Sequence, residues 1–328
     1  MPRSCRSAAS AILAVVAVIA CGQAGAVAYC ALRDPVNTIY GFFPEADRYR
    51  SNVQTIGREA RKAVLDQLPF TLHFNELGRH TLYIAQQGEK PLGFVHARSE
   101  LGEWGLTEYA WALSPDMRVI GAKVQRSRDA SIRKALARLE SKVVGKNLEE
   151  LQGAYDRAKR DGNIVLATMV KSAMKTLVIT RTVWRDEVDA AMASHLVSEA
   201  FPGFQGKVEI ASLYGDAVLE TLALAGMGQS PAFDRGSLTG YEIVGAQGSP
   251  LGIAVHTPLD ITDPTRALWW FVSGDGEVRQ VIDNRTHKPD ADFSGVVGYS
   301  PSHTRDCSSL ADLAALEIST LARHHTGY

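Results

Sequence analysis

Cysteine is scarce. The chain of 328 residues carries four, Cys5, Cys21, Cys30 and Cys307. Three lie in or near an N-terminal apolar segment, and only Cys307 sits well inside the body. No CxxC, CxxCH or Cys/His cluster occurs, so zinc, iron–sulfur and c-type haem sites are not expected and no disulfide framework is available. Cys307 reads as a small, partly buried residue. A surplus of either charge is also missing. Lys and Arg total 35 against 36 Asp and Glu, a formal net charge of −1, whereas a nucleic-acid binder carries a basic excess. There is no G-x-S-x-G elbow, no G-x-G-x-x-G and no P-loop. His73, His80 and His96 are too scattered to indicate a metal site, and no catalytic residue is assigned.

Long uncharged runs are absent except at the start. Arg3 and Arg6 precede an uncharged run from Ser7 to Leu32, closed by Arg33 and Asp34. Its length suffices to cross a bilayer, which takes about 20 residues. The early arginines would hold the N-terminus in the cytoplasm and send the body outward. Three readings of 1–33 stand side by side. One is an uncleaved signal-anchor in the inner membrane with a periplasmic body. Another is a signal peptide cleaved at Ala24-Gly25-Ala26. The third is a lipoprotein, from the lipobox-like Val18-Ile19-Ala20-Cys21.

The body has a normal globular composition, 45% hydrophobic and 22% charged, with room for about two domains of ~100–200 residues. Residues 34–46 read as an extended connector with Pro35 and Pro44. Val53, Ile56, Ala60, Val64 and Leu68 recur at three or four, which predicts a helix over Asp47–Leu68. Short β-rich runs follow at Thr81–Ala85, Gly93–Ala97, Thr107–Leu113 and Val119–Val124. Helices are expected over Ala130–Val143, capped by Gly145, and over Leu148–Lys159.

The stretch Asp161–Trp184 (DGNIVLATMVKSAMKTLVITRTVW) carries the most chemistry. A turn at Asp161-Gly162-Asn163 leads into an apolar helix. Val165, Met169, Ala173 and Leu177 line one stripe, and Thr168, Lys171, Ser172 and Lys175 line another. A helix start offers free N–H groups and a positive dipole end, and two lysines one turn apart add to that field. A phosphate near Thr168 would be well placed. The plain alternative is an amphipathic helix with a solvated lysine face.

The rest of the chain repeats the plan. FFPEAD at 42–47 is echoed by AFPGFQG at 200–206, and Pro91-Leu92-Gly93 by Pro250-Leu251-Gly252. YAWALSPDMRVIGAKV at 109–124 is echoed by LWWFVSGDGEVRQVID at 268–283. The offset stays near 158–159 residues, so Trp111 falls on Trp270 and Asp116 on Asp275. A fixed offset of domain length indicates a duplicated domain rather than a solenoid. The boundary is expected near Asp186–Ser198, giving domains 34–186 and 187–328. A C-terminal helix over Ser309–Arg323 takes the place of the Asp161–Trp184 helix.

This order of elements, with Pro-Leu-Gly, Trp104-Gly105, Gly145-Lys146 and Ala167-Thr168, resembles the FMN-binding domain family. That family includes the flavin-carrying subunits of Rnf and sodium-pumping quinone reductase complexes and the membrane-bound regulators of nitrous oxide reductase. The resemblance implies an α+β fold: two tandem FMN-binding-like domains, each a small antiparallel sheet with flanking helices, after an apolar leader. It implies FMN linked through its phosphate to Thr168 by a flavin transferase. Lys171, Ser172 and Lys175 would then stand near the phosphate, Trp104 and Gly105 would line the ring pocket, and Arg126 would lie near the flavin. Partners would be the membrane or membrane redox-complex subunits. Val165-Leu166 stands where the family has Ser-Gly, Gln125-Arg126-Ser127-Arg128 keeps neither Glu nor Thr, and the second copy lacks the attachment motif. Two functions follow: an extracytoplasmic flavoprotein for electron transfer, or a cofactor-free binding or scaffolding protein that keeps the fold. A third idea is a sensor that takes a ligand between the copies. Trp111, Trp269 and Trp270 are expected in the sheets rather than on a flavin.

Overall fold

The structure is a computed structural model that describes residues 30–72, 76, 78–102, 105–128, 131–211, 239–258, 267–300, 315–316 and 318–323. Helix α1 (Pro35–Phe42) opens the body. The Asp34 side chain accepts from the Asn37 N–H and Pro35 fills the first turn, a pairing that starts helices. The extended connector expected over 34–46 is therefore corrected.

The helix expected over Asp47–Leu68 is also corrected. Its first part is strand β1 (Arg48–Ile56), and only α2 (Arg58–Leu65) is helical. β1 is an edge strand, antiparallel to β2 (Gly78–Gln87), with Arg48 opposite Gln86 and Ile56 opposite Gly78. Most of its side chains face solvent, and Val53 is 45% exposed. An edge strand of that kind shows little two-residue alternation, so the apolar spacing of α2 runs on backward through it without a break.

Strands β3 (Lys90–Gly102), β4 (Gly105–Leu113) and β5 (Val119–Ser127) complete a five-stranded antiparallel meander in the order β1-β2-β3-β4-β5. They contain the strands expected from sequence. Then come α3 (Ser131–Leu139), a 3-10 turn at Glu140–Lys142, α4 (Leu148–Arg160) and α5 (Ile164–Val183). α4 starts on a capping box formed by Asn147 and Glu150. One face of the sheet, with Leu82, Phe94, Tyr109 and Trp111, packs on α5 through Met169, Ala173 and Leu177. The other face, with Tyr83, Val95 and Ala97, packs on Leu32, Ile39 and Phe43.

Cys30 to Arg33 belong to this packing. The Thr81 N–H donates to the Cys30 carbonyl, and the Leu32 N–H to the Tyr83 hydroxyl. Arg33 meets Glu108 through two hydrogen bonds of 2.6 and 2.9 Å. The last four residues of the expected leader thus lie on the first sheet, while residues 1–29 fall outside the described residues. Among the described residues, no helix is long and apolar enough to cross a membrane.

The expected boundary segment is a continuous helix, α6 (Arg185–Ala200). Val188 and Ala191 join the first core, and Met192, Leu196 and Val197 pack on a second sheet. That sheet is again a five-stranded antiparallel meander: β6 (Gly206–Ala211), β7 (Thr239–Gly245), β8 (Pro250–Pro258), β9 (Ala267–Ser273) and β10 (Val278–Asp283). Its other face, with Val255, Trp270 and Val272, packs on Ala315, Ile318 and Leu321. Of the expected C-terminal helix, residues 315–316 and 318–323 are helical. The chain is therefore a mixed α+β protein with two antiparallel sheets and flanking helices.

The two sheets match in detail. Phe94 pairs with Leu113, as Ile253 pairs with Val272. Ser114 donates to Asp116 and Ser273 to Asp275 in the turns that follow. The Val119 N–H donates to the Lys146 carbonyl and its own carbonyl accepts from Gly145. Val278 makes the same pair of bonds with Tyr299 and Gly298.

Candidate functional site

Helix α5 runs antiparallel along β3. It starts where expected, with the Asn163 side chain accepting from the Leu166 N–H at 3.0 Å. It does not carry a solvated lysine face. From Met169 to Thr180 only Lys171 keeps partial exposure. The cause lies on β3. His96, Arg98 and Glu100 alternate with Val95, Ala97 and Ser99, so the first three share the face that meets α5.

Lys175 is fully buried and is held by two carboxylates. Its Nζ lies 2.8 and 3.0 Å from the Glu76 oxygens and 3.1 Å from both Glu100 oxygens. Lys171 Nζ is 3.2 Å from Glu100 Oε1. Arg98 pairs with Glu76. Both lysines lie over the Phe70 ring, at 5.7 and 5.9 Å. Burial holds the Lys175 pKa below the ordinary lysine range, against the pull of Glu100 and Glu76. Removing charges from water costs several kcal/mol per ion, and only close pairing of this kind offsets it.

A histidine chain extends the network. Burial, then the field of Arg98, pushes His80 down to about 4. Burial, then the neighbouring His80, holds His96 well below its ordinary value. Both rings are neutral at pH 7, which fixes the tautomers. His80 Nε2 faces the Glu76 carbonyl at 2.9 Å, so it carries the proton and donates. His80 Nδ1 is then an acceptor, and His96 Nε2–H donates to it at 3.1 Å. His96 Nδ1 in turn accepts from the Thr180 hydroxyl at 3.0 Å. The chain ends on a main-chain carbonyl inside the protein. It ties α5 to β2 and β3 and presents no nucleophile to solvent. Sequence spacing does not reveal it, because His80 and His96 meet only through the pairing that sets Leu82 opposite His96. The available signal is the run His96-x-Arg98-x-Glu100, polar at every second position of a strand with an apolar start.

The residues expected to hold a flavin are partly gathered. Thr168 is half-buried beside the β3–β4 hairpin, and a Cβ on Gly102 would sit 3.3 Å from its Cγ2. Gly105 lies on that hairpin, and with Thr168 it lines a gap of about 10 Å³, far below the ~300 Å³ of a small-ligand site. On its other side Thr168 borders an open groove of about 330 Å³ with Tyr155, Lys159 and Lys171. Ser172 is fully buried and accepts from Trp111 Nε1 at 3.0 Å. Arg126 is exposed on β5 opposite Glu108 and lines neither space. Trp104 lies outside the described residues. Trp111, Trp269 and Trp270 are fully buried in the sheets.

Lys175 and Ser172 do not fit an FMN phosphate. Lys175 is closed to solvent, and Glu100 and Glu76 already supply the negative charge that the two lysines attract. Ser172 has no free face. Among the described residues no group of three or more His, Cys, Asp or Glu is arranged to hold a metal. Comparison with protein-family models, curated proteins and solved structures returns no match.

Proposed function

We propose that the two halves are tandem copies of an FMN-binding-like module and that the protein is a cofactor-free binding or scaffolding protein. It serves at the periplasmic face of the inner membrane as an accessory to membrane redox-complex subunits. The observation that carries this reading is the engagement of Lys175 and Lys171 by Glu100 and Glu76. Protein carboxylates occupy the charge that a flavin phosphate would use, so the helix is stabilised without a ligand. The shared strand order, register and turn hydrogen bonds of the two sheets support the duplication.

A second reading, FMN linked through Thr168, draws on the open groove beside that residue and on Lys159 at its rim. One experiment separates them. The full chain is expressed with an active flavin transferase, run on a denaturing gel beside a flavinylated control, and melted against rising FMN. The scaffold reading expects a dark band and a melting temperature indifferent to FMN. A fluorescent band, or a melting temperature that climbs with FMN concentration as ligand linkage requires, replaces it with the flavoprotein reading.

A further inference from the structure

Leu101 and Leu106 pair across the β3–β4 hairpin and stand 57% and 43% exposed. β3 is buried from Gly93 to Glu100 and β4 from Thr107 to Leu113, so the exposure falls on this one pair at the hairpin end. Glu103 and Trp104, which follow, lie outside the described residues.

Strand alternation fixes the side on which the pair stands. Leu101 shares the face of Val95 and Ala97, and Leu106 the face of Ala110 and Ala112. Cys30 to Arg33 cross that same face, toward the same end of the sheet. The Cys30 carbonyl accepts from the Thr81 N–H on β2, and the Arg33 N–H donates to Gln125 Oε1 on β5 at 2.8 Å. The uncharged run that begins at Ser7 therefore meets the fold beside the hairpin. It does so without a spacer, because Cys30 is already bonded to the sheet. Ser7–Tyr29 still supplies the about 20 residues that a bilayer takes. Seated in a membrane, that run would bring Leu101 and Leu106 to the membrane surface.

The charge around this end is positive. From Lys123 to Lys142 the sequence places seven Lys and Arg against Asp129 and Glu140, in a chain of net charge −1. Arg126 stands opposite Glu108, whose carboxylate is already held by Arg33. Lys123 faces Asp34. The start of α3 reaches the hairpin, since Ile132 lines the small gap with Gly102 and Gly105. Arg126, Arg128, Arg133 and Lys134 are exposed and have no ion pair among the described residues.

We propose that the hairpin end of the first half docks on an anionic phospholipid surface. Leu101 and Leu106 enter the interface, and Arg126, Arg128, Arg133 and Lys134 lie on headgroup phosphates. An apolar tip beside basic side chains is the chemistry of a membrane-surface contact. The occupant is the bilayer that holds the chain's own uncharged run. An acidic protein would match the charge but would leave the entry point of that run unexplained. The proposal rests on the membrane location in the reading above and is indifferent to whether FMN is bound.

The test places the full chain in vesicles of phosphatidylcholine, or of phosphatidylcholine and phosphatidylglycerol in equal parts. Acetylation of Lys134 is followed by mass spectrometry. Lys288 is the control: its turn meets Asp116, through His287 at 3.9 Å, at the opposite end of the first sheet. Each basic side chain near an anionic surface adds roughly fivefold to docking, so Lys134 should react at least about threefold more slowly in the phosphatidylglycerol vesicles. Lys288 should react alike in both, and high salt should remove the difference. The Arg126→Gln/Arg128→Gln/Arg133→Gln and Leu101→Ser/Leu106→Ser variants, altered at exposed positions, should each lose the protection. Equal reaction of Lys134 in the two vesicle types, or full protection in either variant, overturns the proposal while the membrane location stands. Protection by soluble polyglutamate in place of phosphatidylglycerol overturns it in favour of an acidic protein partner. A chain that alkaline carbonate strips from both vesicle types removes the membrane location itself, and the proposal with it.

Discussion

Lys175 Nζ and Glu100 Oε2 lie 3.1 Å apart at the centre of the first half, and neither side chain reaches solvent. This pair joins α5 to β3 and gives the most direct prediction. Lys175→Met removes the cation that Glu76 and Glu100 share, while Arg98 still pairs with Glu76 and Lys171 with Glu100. Breaking a buried pair from one side costs about 3–5 kcal/mol. Urea denaturation should show a loss of that order. Lys175→Met combined with Glu100→Gln should recover part of it, because the second change removes one of the two carboxylate charges that lost their shared cation. A Lys175→Met protein as stable as the wild type would mean that the network does not hold the fold.

Acid should weaken the protein through its buried histidines. His80 and His256 are pushed down by burial to about 4, from an ordinary value of 6.5, and His96 moves in the same direction. For a group whose folded pKa is depressed, the stabilising contribution is complete above 6.5 and is lost as pH falls toward 4. Lowering a pKa by one is worth about 1.4 kcal/mol, so His80 and His256 contribute roughly 3 kcal/mol each. Asp189 opposes them. Its Oδ2 lies 3.8 Å from His256 Nδ1 and 3.7 Å from Arg185 Nε. Burial lifts its pKa to about 6 from 3.8, so its contribution is complete below 3.8 and is lost as pH rises through 6. Three histidines outweigh one carboxyl, and the urea midpoint should fall between pH 6.5 and 4.5. Asp189→Asn should make that fall steeper, and a shallower fall in this variant would contradict a raised Asp189 pKa.

Much of this fold is legible in the sequence because its signals are local. The Asp161-Gly162-Asn163 turn announces α5, and the Pro-Leu-Gly and Trp echoes announce a second sheet of the same plan. Asp34-Pro35 is an equally local signal for α1, although Pro44 nearby suggests an extended connector instead. β1 is not legible, since an edge strand with solvent on most side chains carries no alternation to count. The candidate site is half legible. Thr168 and Gly105 do approach each other, but the fate of Lys175 depends on Glu76 and Glu100, 99 and 75 residues away in sequence. No spacing rule within one helix reports a carboxylate that arrives from a different strand.

The echo between the halves can be tested at Gly93 and Gly252. A Cβ on Gly93 would strike the Leu113 carbonyl and come within 2.7 Å of the Phe43 ring. On Gly252 it would strike the Val272 carbonyl and reach 2.9 Å from the Ser273 Cα. Leu113 and Val272 hold the same place in their sheets, so the obstacle is the same main-chain oxygen in each. Alanine at either position should cost about 2–4 kcal/mol, in the range of overpacked and backbone-strained sites. Thermal melts of Gly93→Ala and Gly252→Ala should show losses of similar size. A tolerated alanine at one position and not the other would mean that the two hairpins are built differently.

The turn before the last strand of each sheet should respond in opposite senses to exchange. Ser114 and Ser273 close these turns alike, each hydroxyl also standing near a carbonyl four residues on, Arg118 at 3.2 Å and Glu277 at 3.1 Å. The last residue of the first turn is Met117 and that of the second is Gly276, both left-handed. A side chain there costs about 1–2 kcal/mol relative to the right-handed region. Met117→Gly relieves that strain but gives up a half-buried side chain and gains chain entropy on unfolding. The net expectation is a gain of about 1 kcal/mol at most. Gly276→Met meets a second obstacle, since even a Cβ would come within 2.7 Å of the Arg323 Cγ and 3.0 Å of the Ser319 carbonyl. It should lose about 2–4 kcal/mol, the range of strained and overpacked substitutions. Urea midpoints of the two variants give the comparison. A Met117→Gly protein that loses as much as Gly276→Met would show that packing by Met117, and not its backbone strain, governs the first turn.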